Sequence, residues 1–206
     1  MNQTPECPRI PVSLTHHNDT RIDNYFFLKD KTHPSTLPYL EACNTQFHNT
    51  IPQDLIDELY QEMIGKIAKD DTSVPYLKNG YFHWRVYEGE AEYPRYMRRA
   101  AGEGEDGGVI EDGSLVLDVN ALAEDLSFCK VSGMEFAPQK NVVAYGLDSV
   151  GRRFYEVRFK DLDTGVEMNE KIEGVSSVFD WGKDNQLYYC KKDDVTLRPY
   201  RIFVHR

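Results

Sequence analysis

Phe136–Asp148 reads FAPQKNVVAYGLD, and Asp180–Lys192 reads DWGKDNQLYYCKK. The second stretch is a looser copy of the first. Asn141 falls on Asn185, and Val143-Ala144-Tyr145 falls on Leu187-Tyr188-Tyr189, an offset of 44. Downstream, YEVRFK from Tyr155 meets YRIFVH from Tyr200 at an offset of 45. A β repeat of this length is the size of one propeller blade. On the residues alone, a coincidence of generic strands is the competing reading.

Working outward from the repeat, most of the chain after residue 70 reads as strand. MEFA, NVVAYGLD, RFYEVRFKDL and VEMNEKI follow one another from residue 133 onward, and DLDTG supplies an Asp-Thr-Gly hairpin turn. Earlier, GYFHWRVYEG and AEYPRYMRRA are two aromatic strands around a Gly-containing turn. LVLDVNALAEDL carries a short strand and a helical turn, and the terminal TLRPYRIFVHR alternates as a strand. DDTSVPYLKNG breaks the helical pattern that precedes it.

Residues 34–70 differ. HPSTLPYLEACNTQFHNTI forms a helix around Leu40, Cys43 and Phe47. In IPQDLIDELYQEMIGKIAK, residues Leu55, Ile56, Leu59, Met63, Ile64 and Ile67 recur at helical spacing and make one apolar stripe. Thr50 with Gln53 suggests a capping box, with Pro52 in the first turn. Residues 1–33 are polar, contain Pro5, Pro8 and Pro11, and read as an extended arm without a core pattern.

The chain has 206 residues, 40% hydrophobic and 12% aromatic, enough for a sizeable core. With 24 basic and 34 acidic residues its net charge is −10, which argues against nucleic acid as a partner. Arg95, Arg98 and Arg99 in YPRYMRRA accordingly read as a solvated strand face. Cys7, Cys43, Cys129 and Cys190 are widely spaced with no CxxC pair, so free thiols in a reducing compartment are expected. No apolar run suits a signal peptide or a membrane span, and a cytoplasmic protein is the expectation.

No constellation completes a reaction centre. Ser132, Ser176 and Ser177 lack the Gly-x-Ser-x-Gly context of a nucleophile elbow. His16, His17, His33, His48, His83 and His205 stand in no recognised pattern with a serine or cysteine. His16, His17, Asp19 and Asp23 could ligate a divalent ion, but without a second cluster a structural use is preferred. Gly102–Gly108, GEGEDGG, reads as a mobile acidic link. It carries three carboxylates and lacks the Lys-Ser/Thr of a phosphate loop. Catalytic, metal and cofactor residues are therefore assigned to no position.

Several strings, in order, resemble the prolyl oligopeptidase family, and oligopeptidase B within it. HNDTRIDNYFFLKD matches at His17, Asp19, Arg21, Asp23, Tyr25, Leu28 and Asp30, with Asn18 where the pattern has glycine and Phe27 where it has tryptophan. Val74-Pro75-Tyr76, Gly80-Tyr81, Arg85, Gly89 and Tyr93-Pro94 resemble the next block. LVLDVNALAED is similar to a Leu-Asp-x-Asn-x-Leu-Ala block. Phe136–Gly165 is similar to a blade of the family, with Ala137 and Gln139 replacing its Ser and Asp, and Thr196–Pro199 resembles its Thr-Leu-Arg-Pro stretch.

The resemblance implies a mainly β chain holding the first blades of a seven-bladed β-propeller, incomplete here. Residues 1–70, arm and helices, would pack on a hydrolase domain, and residues 71–206 would form the partial propeller. It implies a serine peptidase that cuts short peptides after Arg or Lys, with the propeller limiting access. The Ser, Asp and His of that chemistry belong to a domain outside these residues, so the chain alone is expected to be inactive, as a fragment or truncated form. Short basic peptides would be partners only alongside that domain, and self-association through an open propeller edge stays open. The alternative is a non-catalytic, propeller-derived interaction module.

Overall fold

The computed structural model describes residues 4–102 and 112–206. They form two compact units, Met1–Ala68 and Lys69–Arg206.

In the first unit, β1 (Val12–His16) pairs with β2 (Asp19–Asp23) as a hairpin. His17 and Asn18 close it at φ +50° and +63°, the left-handed pair of a tight two-residue turn. This explains why asparagine serves in place of glycine at 18: both tolerate that region. The hairpin corrects the reading of residues 1–33 as a plain arm. It is mostly exposed, so it carries no core alternation to read. A 3₁₀ turn, Phe26–Lys29, follows. Phe27 is buried, with its ring 4.8 Å from that of His33, and its carbonyl accepts from Thr36 Oγ1 at 3.2 Å.

Two helices follow, α1 (Thr36–Thr50) and α2 (Gln53–Gly65). The expected capping box does not form. Thr50 ends α1, and its Oγ1 bonds back to Gln46 O at 2.7 Å. Gln53 instead donates to Asp57 at 2.9 Å, and Pro52 is the cap residue of α2 without a side-chain bond. The apolar stripe is real but uncovered. No residue of α2 is buried, and Leu55, Leu59, Met63, Ile64 and Ile67 are all exposed.

Among the described residues, the regular structure of the second unit is all sheet apart from one helical turn. β3 (Asp71–Thr72) and β4 (Tyr76–Lys78) share the partner β5 (Tyr81–Tyr87), which continues to β6 (Arg95–Ala100) and β7 (Ser114–Asp118). The first two strands fall inside DDTSVPYLKNG, read above only as a break. Asn79 and Gly80, at φ +52° and +77°, close the β4–β5 hairpin, the Asn-Gly signature of such turns. After β7 comes α3 (Val119–Ala123), whose first N–H groups are capped by Asp118 Oδ1.

The second sheet runs β8 (Lys130–Phe136), β9 (Val142–Asp148), β10 (Tyr155–Asp161), β11 (Glu167–Trp181), β12 (Leu187–Lys192) and β13 (Pro199–His205), in that order. β11 decides how this sheet is understood. Its first part pairs with β10, and the part from Val175 pairs with β12. Both ends lie at one edge of the sheet. Leu162 N donates to Asn141 O beside the start, and Gln139 N donates to Asn185 Oδ1 beside the end. The chain therefore doubles back near Gly174, at φ +72°. So β8, β9, β10 and the first part of β11 make one four-stranded blade, and the rest of β11 with β12 and β13 belongs to the next. The second part, EGVSSVFDW, was not expected as a strand.

Each pair of successive blades encloses a core. Val116, Leu117 and Val119 pack with Phe136, Val143, Tyr145 and Leu147 between the first two. Ala144, Val157, Phe159 and Ile172 pack with Val175, Phe179 and Leu187 between the second and third. Gly133, at φ +71°, sits where a Cβ would meet the Phe179 ring at 2.5 Å, so only glycine lets β8 and β11 approach this closely.

Candidate functional site

One edge of the blades gathers the turns β4–β5, β8–β9, β10–β11 and β11–β12. The first three of these turns line a cavity of about 380 Å³ between the first two blades. Its walls include Asn79, Tyr81, His83, Arg98, Phe136, Asn141 and Asp163. The turns are set by local chemistry. Asp161 Oδ1 accepts from the N–H groups of Asp163 and Thr164 and from the Thr164 hydroxyl, while Gly165 takes the left-handed position at φ +73°. The β8–β9 and β11–β12 turns are clasped: Gln139 Nε2 donates to Lys183 O at 2.7 Å, and Gln139 N to Asn185 Oδ1 at 3.0 Å.

Arg98 stands at the centre. It is only 8% exposed, which corrects the expectation of a solvated arginine face. The strand is central in its sheet, and Arg98 faces the neighbouring blade. Its Nη1 donates to Asn141 Oδ1 at 2.6 Å, Asn141 Nδ2 donates to Asp163 Oδ1 at 2.5 Å, and the guanidinium lies 4.5 Å over the Tyr81 ring. The other two arginines are paired with carboxylates: Arg95 with Glu88 and Asp118, and Arg99 with Asp112.

His83, 4% exposed, is packed against Phe136 with ring centroids 4.1 Å apart. Nε2 lies 3.3 Å from Lys78 O, and Nδ1 has no hydrogen-bond partner. Burial pushes its pKa down to about 4, and the charges of Arg98 and Lys78 act the same way. The ring is neutral at physiological pH, with the proton on Nε2. Beside it, Lys78 Nζ donates to Glu135 Oε2 at 2.5 Å, linking the two blades. Burial opposes the Lys78 ammonium, but Glu135 outweighs it and holds the pKa above the usual lysine value.

The other sequence candidates remain apart. Ser132 lies in β8. Ser176 is buried in β11, its Oγ accepting from Val178 N at 3.1 Å. Among the described residues, no histidine hydrogen-bonds to a serine hydroxyl or cysteine thiol. His16 and His17 contact each other at the β1–β2 turn, 3.9 Å between ring centroids, and Asp23 Oδ1 accepts from Tyr25 N at 2.8 Å. No group of three or more metal-ligating side chains is assembled among the described residues. The acidic GEGEDGG segment lies outside them apart from Gly102. The sequence reading missed Arg98, Asn141 and Asp163 as a set. They lie on three different elements; Arg98 was read only as part of a solvated face, and Asn141 was marked only by its match to Asn185 in the repeat.

Residues 5–206 match the prolyl oligopeptidase N-terminal β-propeller domain. The chain belongs to that family. It is similar to dipeptidyl aminopeptidase BI of Pseudoxanthomonas mexicana, at 32% identity over 98% of this chain and 30% of that protein. Oligopeptidase B from Leishmania major superimposes with a TM-score of 0.84 at 26% identity, over 100% of this chain and 31% of that one. Oligopeptidase B from Trypanosoma brucei, in a closed form with covalently bound antipain, gives 0.79 at 27% identity, over 98% and 30%. The chain thus spans 25–30% of the length of the curated relatives it matches. As a prolyl oligopeptidase propeller it carries the family's opening blades, and its cavity lies between two of them. No helix among the described residues is long and apolar enough to cross a membrane.

Proposed function

We propose that these blades are the gate and scaffold of a cytoplasmic serine oligopeptidase that cleaves short peptides after Arg or Lys. The observation that carries this is the match to oligopeptidase B across the whole chain at a TM-score of 0.84. The nucleophile, its base and the acidic residues that select the basic side chain belong to a hydrolase domain outside these 206 residues. The exposed stripe of α2 is the surface that docks on that domain. Stacked blades, each locked to the next through buried cores, give a rigid wall that limits what reaches the site. The four unpaired cysteines fit a reducing compartment.

A second reading has its own support. The relative at 32% identity is a dipeptidyl aminopeptidase, which points to removal of dipeptides from a free N-terminus. The two are separated by assaying the chain joined to its hydrolase domain on Arg- and Lys-amide substrates with blocked and free N-termini. Turnover of the blocked substrates supports the oligopeptidase. Turnover confined to free N-termini supports the aminopeptidase. The 206 residues alone are expected to show no turnover that a serine-directed inhibitor abolishes, and observing it would overturn the assignment of chemistry elsewhere.

A further inference from the structure

We propose that the cavity between the first two blades binds a short zwitterionic peptide or free amino acid, with Arg98 holding its carboxylate and Asp163 its ammonium. This does not depend on the peptidase reading. A guanidinium in a buried position is costly unless an opposite charge or several hydrogen bonds compensate it. Arg98 is 8% exposed and has no carboxylate within ion-pair distance among the described residues. Its hydrogen bond goes to the neutral amide of Asn141, and its flat face lies on Tyr81. That leaves most of a planar five-donor fork without an anion, in a cavity whose volume of about 380 Å³ suits one or two amino-acid residues.

The remaining walls select the ligand. Tyr81, Phe136 and Leu162 offer apolar surface, Asn79 an amide, and Lys140 a second cation. Asp163, exposed at the cavity rim and anchored through one oxygen by Asn141, places a negative charge across that amide from the arginine. That carboxylate repels a phosphate dianion and attracts an ammonium, so a ligand carrying both charges matches better than a simple anion. His83 is neutral here and adds no positive charge, so Arg98 is the buried cation of the wall.

The test is titration of the 206-residue chain with glycylglycine, followed by calorimetry and by amide shifts near Arg98, Asn141 and Asp163. Saturable binding is expected. Capping the peptide's carboxylate as an amide should weaken it by about tenfold or more, as a lost charge-assisted bond implies. N-acetylation should weaken it less, and Asp163→Asn should remove that remaining dependence on the free amine. Arg98→Gln should mimic the amide cap. If this variant fails to fold, the capped ligands on the unaltered protein decide the matter. Absence of saturable binding, or equal binding of free and amide-capped peptide, would overturn the proposal.

Discussion

Val157 and Ile202 hold the same place in successive copies of the repeat, yet Val157 is fully buried and Ile202 is 74% exposed. The same holds for Phe159 against Val204 and for Tyr155 against Tyr200, each buried in the earlier copy and open in the later. The inner pairing is equivalent: Val157 faces Gly146 across the ladder, and Ile202 faces Cys190, but β10 also pairs with β11 on its other side while β13 is an edge strand. The open edge exposes the β13 backbone, but the side chains point to the faces of the sheet, where the covering layers also differ. The earlier blade is covered on both faces by its neighbours, while the outer face of the later one meets nothing among the described residues. In this architecture, burial comes from the adjacent blade, and a β-sheet of apolar residues is only half of a core.

The sharpest way to break this comparison is to place the same charge at both positions. Val157→Asp should cost about 4 kcal/mol or more and leave the chain unfolded, because a carboxylate would be buried without a partner. Ile202→Asp should shift stability by no more than about 0.5 kcal/mol. Urea unfolding of both variants measures this, and similar losses would mean that the outer face is covered in solution. A smaller effect is expected at the contact that lets one blade approach the next. Gly133→Ala puts a methyl against the Phe179 ring and forces alanine into the left-handed region, costing about 2 kcal/mol. Phe179→Leu in the same chain should recover part of that loss, and no recovery would remove the close approach as the cause.

The effect that is smallest near neutral pH, and develops only on acidification, distinguishes the first blade junction. The folded His83 pKa is about 4, below the ordinary value of 6.5 in the unfolded chain. The unfolded state therefore binds the extra proton between these two values. Stability is unaffected above about pH 6.5, falls as pH drops towards about 4, and levels off below it. His83→Phe should flatten that part of the stability profile. An unchanged profile would show that His83 protonates without disturbing the junction.

Much of this was legible. The repeat from Phe136 to Lys192 foretold two blades because alternation and turn residues are local properties. The one-residue change in offset also has a place. The β9–β10 pairing runs from Gly146 to Val157, and the corresponding β12–β13 pairing from Cys190 to Ile202, a connection one residue longer. What was not legible depended on distant parts of the chain. β11 has no punctuating turn residue except Gly174, one glycine in an otherwise strand-like run, so its fold-back becomes evident only once β10 and β12 pair on either side of it. Arg98 looks like a surface residue in YMRRA, because its burial comes from loops more than forty residues downstream. Asn79-Gly80 was a readable hairpin signal, hidden by the short strands on either side of it.

The doubling back of β11 has a wider consequence. Most modular proteins join their units by a tether, and each unit can breathe while its neighbour stays closed. Here one uninterrupted segment serves as the outer rung of one blade and the inner rung of the next. Fraying of either half pulls on both ladders, so the two blades act as gears on a common shaft and neither loosens alone.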